Sequence, residues 1–339
     1  MQWTAFLDHF TKHIQEKPEL HGLPPAFVRR AIEEAGKKNP SAIKSVQEAL
    51  AQEGSFFKIQ RKKAYQLLFK ESRALLRKQH GMFAAKEQQD RKRRALLLKT
   101  LGQSLPDESS ESTGAQEKAL NEMLKAHPST AERFSDYERI YQFCFEDGSP
   151  RSNQLDHSGD ALGKNGHPGR ITMLDLGAGM NIASCMFWKR RAEHVFYLAY
   201  DLSKEDILLV NTLCKHLRLR GSAKVFDLSR MIGEKERSAF LAQIRSDASE
   251  IGIKLPFDIC LLWKTADVLE KQQRGATQHL LNSIPARTIV VSFALQSLGQ
   301  RKQFQRHRPW FEHLLTHEGY LAQTFTTGNE LFYKIRKNT

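Results

Sequence analysis

The residues best suited to hold a small ligand are two glycines and a set of acids at regular spacing. Gly177 and Gly179 sit in Asp175-Leu176-Gly177-Ala178-Gly179-Met180-Asn181, after an apolar run and before a stretch of helical spacing from about residue 182. Glycines there permit a tight turn and a close approach of ligand to backbone, and the N–H groups of a helix start can face an anion. Asp175, Ala178 and Asn181 complete the loop as candidate contacts. A dinucleotide fingerprint wants a third glycine near position 182, where Ile182 stands, which argues against a pyrophosphate ligand. Asp201, 24 residues beyond Gly177, closes the next apolar run, where a carboxylate can accept both ribose hydroxyls of an adenosine. Asp227 closes the run after that, in Val225-Phe226-Asp227-Leu228, at the level of an adenine. Each acid alone is also a good helix cap. Three such features at successive strand ends point to one adenosine-binding edge.

The elements that must position these groups are short apolar runs alternating with amphipathic stretches. Runs at 171–174, 195–200, 223–226, 257–263 and 288–293 predict five parallel strands of a doubly wound α/β sheet. Two last runs, 320–325 and 330–335, are joined only by Thr326-Thr327-Gly328-Asn329, too short for a crossover helix. They predict an antiparallel hairpin at the sheet edge. A mostly parallel, Rossmann-like, seven-stranded sheet of this kind is the layout of class I S-adenosylmethionine-dependent methyltransferases, although fold alone does not establish chemistry. Trp263 and Phe293 fall near strand ends as candidates to stack on an extruded base, and Lys264 could contact the base or its phosphate. For both aromatic residues, plain core packing is the competing reading.

Ahead of the sheet the chain reads as helical and basic. Of a net charge of +14, the stretch 56–102 holds 14 basic residues, among them Lys62, Lys63, Arg91, Lys92, Arg93 and Arg94, against Glu71, Glu87 and Asp90. Leucines interleave at helical spacing, so one face should lie on a core and a basic face outside. A solvated face normally mixes signs. This one does not, which points to a polyanionic partner such as RNA. The expected division is a helical domain at 1–126 and an α/β domain at 127–339, with a glycine-rich mobile insertion near 146–169. Four scattered cysteines suggest buried thiols, and no metal site is expected. No apolar run suits a bilayer, and the start carries an acid and no basic leader, so a cytoplasmic monomer is expected.

His127-Pro128-Ser129-Thr130-Ala131-Glu132-Arg133-Phe134 resembles the H-A-S-T-x-E-R-L signature of the aminoglycoside-resistance 16S ribosomal RNA (guanine-N7) methyltransferases. Residues 174–181 resemble their L-D-x-x-C-G-L-N-P loop, 258–269 their D-x-x-L-x-K segment, and 291–299 their V-S-F-P-T-R-S-L-G. Trp310-Phe311-Glu312 and Thr327-Gly328-Asn329-Glu330-Leu331 also match, and the helical stretch 23–50, with Arg29 and Arg30, resembles the start of their RNA-binding domain. The resemblance implies S-adenosyl-L-methionine as cofactor, with its methionine carboxylate on Arg133, backbone contacts at Gly177 and Gly179, its ribose on Asp201 and its adenine on Asp227. It implies 16S rRNA in the small ribosomal subunit as partner, and a guanine of the decoding region as target. Three places depart from the pattern: Ala178 for cysteine, Ile182 for proline, and Ala294-Leu295-Gln296 for P-T-R. With Gln300-Arg301-Lys302-Gln303 in place of a G-R-G-K run, the last falls on the substrate loop and bears on the target nucleotide.

Guanine N7 carries a free lone pair, so its methylation needs positioning and electrostatic help rather than a strong base. Two other readings stay open: an RNA-binding or assembly protein with a vestigial pocket, and a methyltransferase of another nucleotide or of a small molecule.

Overall fold

The computed structural model describes residues 3–18, 20–53, 56–80, 95–96, 99, 110–126, 128–145, 169–192, 194–296 and 307–337. The chain divides into two units, residues 1–92 with 202–205, and residues 93–201 with 206–339.

In the first unit, α1 (Trp3–Gln15), α2 (Pro25–Lys38), α3 (Pro40–Glu53), α4 (Phe56–Gln60) and α5 (Lys63–His80) follow one another. Pro25 at the first turn of α2 supplies a fixed φ where no N–H partner is needed. Along α5, Tyr65, Leu68, Phe69, Ser72 and Leu76 are buried, a stripe at helical spacing. They pack with Phe6, Phe10, Ile14, Val28, Ile32 and Val46. Lys62, Lys63, Lys70 and Lys78 are exposed on the other side.

The second unit is built on a seven-stranded sheet: β1 (Arg170–Leu176), β2 (His194–Asp201), β3 (Arg220–Val225), β4 (Phe257–Trp263), β5 (Ala286–Ala294), β6 (Leu321–Thr326) and β7 (Glu330–Arg336). Their spatial order is β3-β2-β1-β4-β5-β7-β6. The first five are mutually parallel, and β7 runs antiparallel to β5 and to β6. The expected sheet and edge hairpin are both present. β1, β4 and β7 are buried along nearly their whole length, as strands covered on both faces must be.

Around the sheet run α6 (Ser110–Ala126), α7 (Pro128–Ala131), α8 (Tyr137–Phe145), α9 (Cys185–Lys189), α10 (Lys204–His216), α11 (Glu234–Glu250), α12 (Ala266–Gln272), α13 (Ala276–Ser283) and α14 (Pro309–His317). The division expected at residue 126 falls earlier. Leu120, Met123 and Leu124 of α6 join Tyr141, Trp188, Tyr197 and Trp263 in one apolar cluster of the sheet unit, so α6 belongs there. Most of the insertion expected at 146–169 lies outside the described residues, as do Arg91, Lys92, Arg93, Arg94, Arg301 and Lys302. Among the described residues no helix is long and apolar enough to cross a membrane.

Candidate active site

The crossing from β1 to β2 brings the glycine loop and Asp201 together at the carboxyl edge of the sheet. Gly177 and Gly179 both have positive φ, +75° and +48°. A Cβ on Gly177 would stand 2.6 Å from Thr265 Oγ1, so backbone conformation and space both require glycine there. Tyr200, at the end of β2, pins the loop, its carbonyl accepting from Gly177 N at 2.8 Å and Ala178 N at 3.2 Å. Asp201 Oδ2 accepts from Gly179 N at 2.9 Å. The helix expected from about residue 182 is short: a 3-10 turn, Asn181–Ser184, followed by the five-residue α9. A helix this short carries little macrodipole, so any ligand here is held by specific groups rather than by a helix field.

Asp175 and Asn181 are not open to a ligand. Both are 2% exposed, and Asp175 Oδ2 accepts from Asn181 Nδ2 and from Tyr197 Oη, each at 2.8 Å. Asn181 Oδ1 accepts in turn from Tyr141 Oη of α8 at 3.2 Å. Burial pushes the Asp175 carboxyl up to about 6, against the pull of those two donors and of Arg133. These residues brace the loop from below. Ala178 is buried as well. Asp227 behaves as a cap: its Oδ1 accepts from Ser229 N at 3.1 Å and from Ser229 Oγ at 2.6 Å, starting the 3-10 turn Leu228–Ile232.

Beside the loop lies a buried charge cluster in which Glu330, Glu132 and Ser292 had no role assigned from sequence. Arg133 donates to Glu330 through Nε at 2.8 Å and Nη2 at 2.9 Å, a bidentate pair with both residues buried. The guanidinium expected to hold a ligand carboxylate therefore already holds one from β7. Two of its five N–H donors are used in this way. Ser292 Oγ of β5 donates to Glu330 Oε1. Burial alone would raise the Glu330 carboxyl. The charges of Arg133 and Lys264, with the hydrogen bonds from Arg133 and Ser292, overcome that and hold it below the ordinary carboxylate value. Lys264 Nζ lies 2.5 Å from Glu132 Oε2 and 3.5 Å from Glu330 Oε2. Its φ of +56° is rare for a residue with a side chain, and its backbone N–H is fixed on the Ser292 carbonyl at 3.0 Å.

The two aromatic candidates are both enclosed. The Phe293 ring is fully buried among Trp310, Phe311 and Tyr333, with the Arg308 guanidinium 5.4 Å from its centroid, so neither face is left for a base. Trp263 is 6% exposed and serves as a shelf for Arg133, whose guanidinium carbon stands 4.7 Å from the ring centroid. Its indole Nε1 is buried without a hydrogen-bond partner among the described residues. A buried donor of this kind is open to an acceptor that the described residues do not supply.

In the first unit, Arg29 is paired with Asp8 and the Arg30 guanidinium stands 5.6 Å from the Phe27 ring centroid. Lys62 and Lys63 are exposed where α4 gives way to α5.

The family model for ribosomal RNA methyltransferase (FmrO) matches residues 166–333, from the strand before the glycine loop to the strand that carries Glu330. Over those residues, just under half of its length, the chain matches this family. It is 27% identical over 245 residues to the 16S rRNA (guanine(1405)-N(7))-methyltransferase of Micromonospora echinospora, covering 72% of this chain and 74% of that one. The enzyme of the same name from Micromonospora rosea is 27% identical over 216 residues, 63% of this chain and 64% of that one. Among solved structures, the 16S rRNA methylase RmtB has a TM-score of 0.59 at 17% identity and 98% coverage of both chains. The 16S rRNA methyltransferase RmtF, solved with S-adenosyl-L-homocysteine, has a TM-score of 0.57 at 21% identity over the full length of both. These likenesses establish the fold.

Proposed function

We propose that this methyltransferase binds S-adenosyl-L-methionine at the carboxyl edge of the sheet and methylates N7 of guanine 1405 of 16S rRNA, on the small ribosomal subunit, as its Micromonospora relatives are named for doing. The observation that carries the cofactor part is the glycine loop. Its two positive-φ glycines, the pinning by Tyr200 and the carboxylate of Asp201 at the next strand end support this reading, and so does the orphan Nε1 of Trp263, the ring beside Arg133. These donors and acceptors fit an adenosine bearing a charged amino-acid tail. Gly177 and Gly179 let the backbone approach it, Asp201 takes the ribose, and Asp227 lies at the adenine end. Arg133 would take the carboxylate with the donors that Glu330 does not use.

When bound, the cofactor would supply an electrophilic methyl group on a sulfonium to the lone pair of guanine N7. No proton need leave N7, so no general base is needed. The chain's contribution is to hold the two reactants in line and to exclude water. The cationic helices, with Arg29, Arg30, Lys62 and Lys63, would grip rRNA phosphates. Modification of this base would make the protein a determinant of aminoglycoside resistance, acting as a cytoplasmic monomer.

Calorimetry with S-adenosyl-L-methionine on the protein and on Asp201→Ala tests the cofactor site. The reading expects binding by the first and a loss of about tenfold or more in the second, one to two charge-assisted hydrogen bonds. Equal affinity of the two proteins would contradict it, and no binding by either would favour a vestigial pocket.

A further inference from the structure

Glu132 and Lys264 take no part in shaping the glycine loop, yet they form the open end of the charge cluster. Their side chains are 28% and 19% exposed, against 1% for Glu330 and 6% for Arg133. Two cations and two carboxylates make the cluster neutral, and its outermost member is an acid. Lys264 is held at that place by a left-handed backbone fixed to Ser292, a conformation that persists only where its surroundings enforce it.

We propose that Glu132 reads the acceptor base: its carboxylate accepts from N1–H and the 2-amino group of guanine, while Lys264 beside it donates to O6. The proposal rests on the guanine-N7 reading above and names the residues that select guanine within it. Guanine presents two adjacent donors on that edge, which the two oxygens of a carboxylate match. Adenine presents the bare lone pair of N1 there, and opposite a carboxylate it would be repelled. Lys264 can release Glu132 to the base because Glu330, 3.5 Å away, remains as its counter-charge. Charge gives a second reason. Guanine methylated on N7 is a cation, and a carboxylate on its far edge stabilises the charge as it develops. Lys264 opposes this in part, and Glu330, 3.5 Å from its ammonium, offsets that opposition.

Small subunits reconstituted with 16S rRNA carrying inosine in place of the target guanosine test the proposal, since inosine keeps N7, O6 and N1–H and lacks only the 2-amino group. The wild-type protein is expected to methylate inosine about 10- to 100-fold more slowly than guanosine, the effect of one hydrogen bond to a charged group. Glu132→Gln is expected to be slower on guanosine and to lose most of that preference, with unchanged melting temperature and calorimetric affinity for S-adenosyl-L-methionine. Glu132→Asp should recover part of the preference. Equal rates on both bases by the wild type would overturn the proposal. So would a guanosine preference in Glu132→Gln equal to that of the wild type, or loss of cofactor affinity in that variant, which would place Glu132 on the cofactor side. Absence of any transfer to guanosine subunits removes the guanine-N7 reading itself, and the proposal with it.

Discussion

At the scale of single residues, the site is governed by ionisable groups taken out of water. The Arg133–Glu330 pair is the deepest of these, and its worth lies less in the bond than in what breaking it would leave behind. Arg133→Ala should destabilise the sheet unit by about 3 kcal/mol, the low end for a stranded buried charge, because Lys264 still lies near Glu330. Arg133→Met combined with Glu330→Gln should cost less than Arg133→Ala alone. Urea denaturation of the three proteins checks this, and a double variant worse than the single one would show that the pair itself is net stabilising. Asp175 gives a prediction in pH. Its folded pKa is raised to about 6, above that of an unfolded chain. A raised carboxyl stabilises the fold fully at low pH, and that stability fades as pH climbs through the folded value, here between about pH 4 and 6. Against Asp175→Asn, which cannot titrate, the wild type should lose about 3 kcal/mol across that window, two pKa units at 1.36 kcal/mol each. Parallel thermal melts at successive pH values measure the difference. A constant gap between the two proteins would refute the assignment.

At the scale of elements, the loop after β1 and the strand ends around it depend on backbone conformations that one glycine can settle. Gly177→Ala would force a methyl group to 2.6 Å from Thr265 Oγ1 in a left-handed conformation. A loss of about 1–2 kcal/mol from the backbone alone is expected, with a larger loss of cofactor affinity as the loop moves. Calorimetry beside a melting curve separates the two, and undiminished affinity would show that the loop does not touch the cofactor. The strands were legible in sequence because β1, β4, β5 and β7 are continuous apolar runs bounded by turns. The short link 326–329 betrayed the hairpin. β3 was the least legible, observed at Arg220–Val225 against an expected 223–226, since only Ala223 of its six residues is buried and its polar start gives no apolar signal. The helix expected after the glycine loop opens as a 3-10 turn, where Asn181 and Ser184 spend their side chains on Asp175, Tyr141 and Trp188. The partner of Arg133 was not legible either. Glu330 lies 197 residues away and meets it only through the β5–β7 pairing. Its sequence signals were the family-like segment 327–331 and an acid opening a mostly apolar strand, where a buried charge demands a counter-charge.

At the scale of the whole molecule, we propose that a cationic helical unit grips rRNA while the sheet unit holds the chemistry. If exposed lysines such as Lys62 and Lys63 hold rRNA phosphates, affinity for small subunits should fall about tenfold or more for each doubling of monovalent salt, the slope of roughly four neutralised phosphates. Lys62→Glu with Lys63→Glu should abolish modification of the subunit and leave calorimetric cofactor affinity unchanged. Loss of cofactor affinity in that variant would refute the division. The central claim is tested most directly by incubating the protein with small subunits and S-adenosyl-L-methionine labelled on its methyl group, then mapping the modified base by reverse transcription and mass spectrometry. One labelled 7-methylguanine is expected, at guanine 1405. Label on another atom or nucleotide, or no transfer by a protein that binds the cofactor, would contradict it.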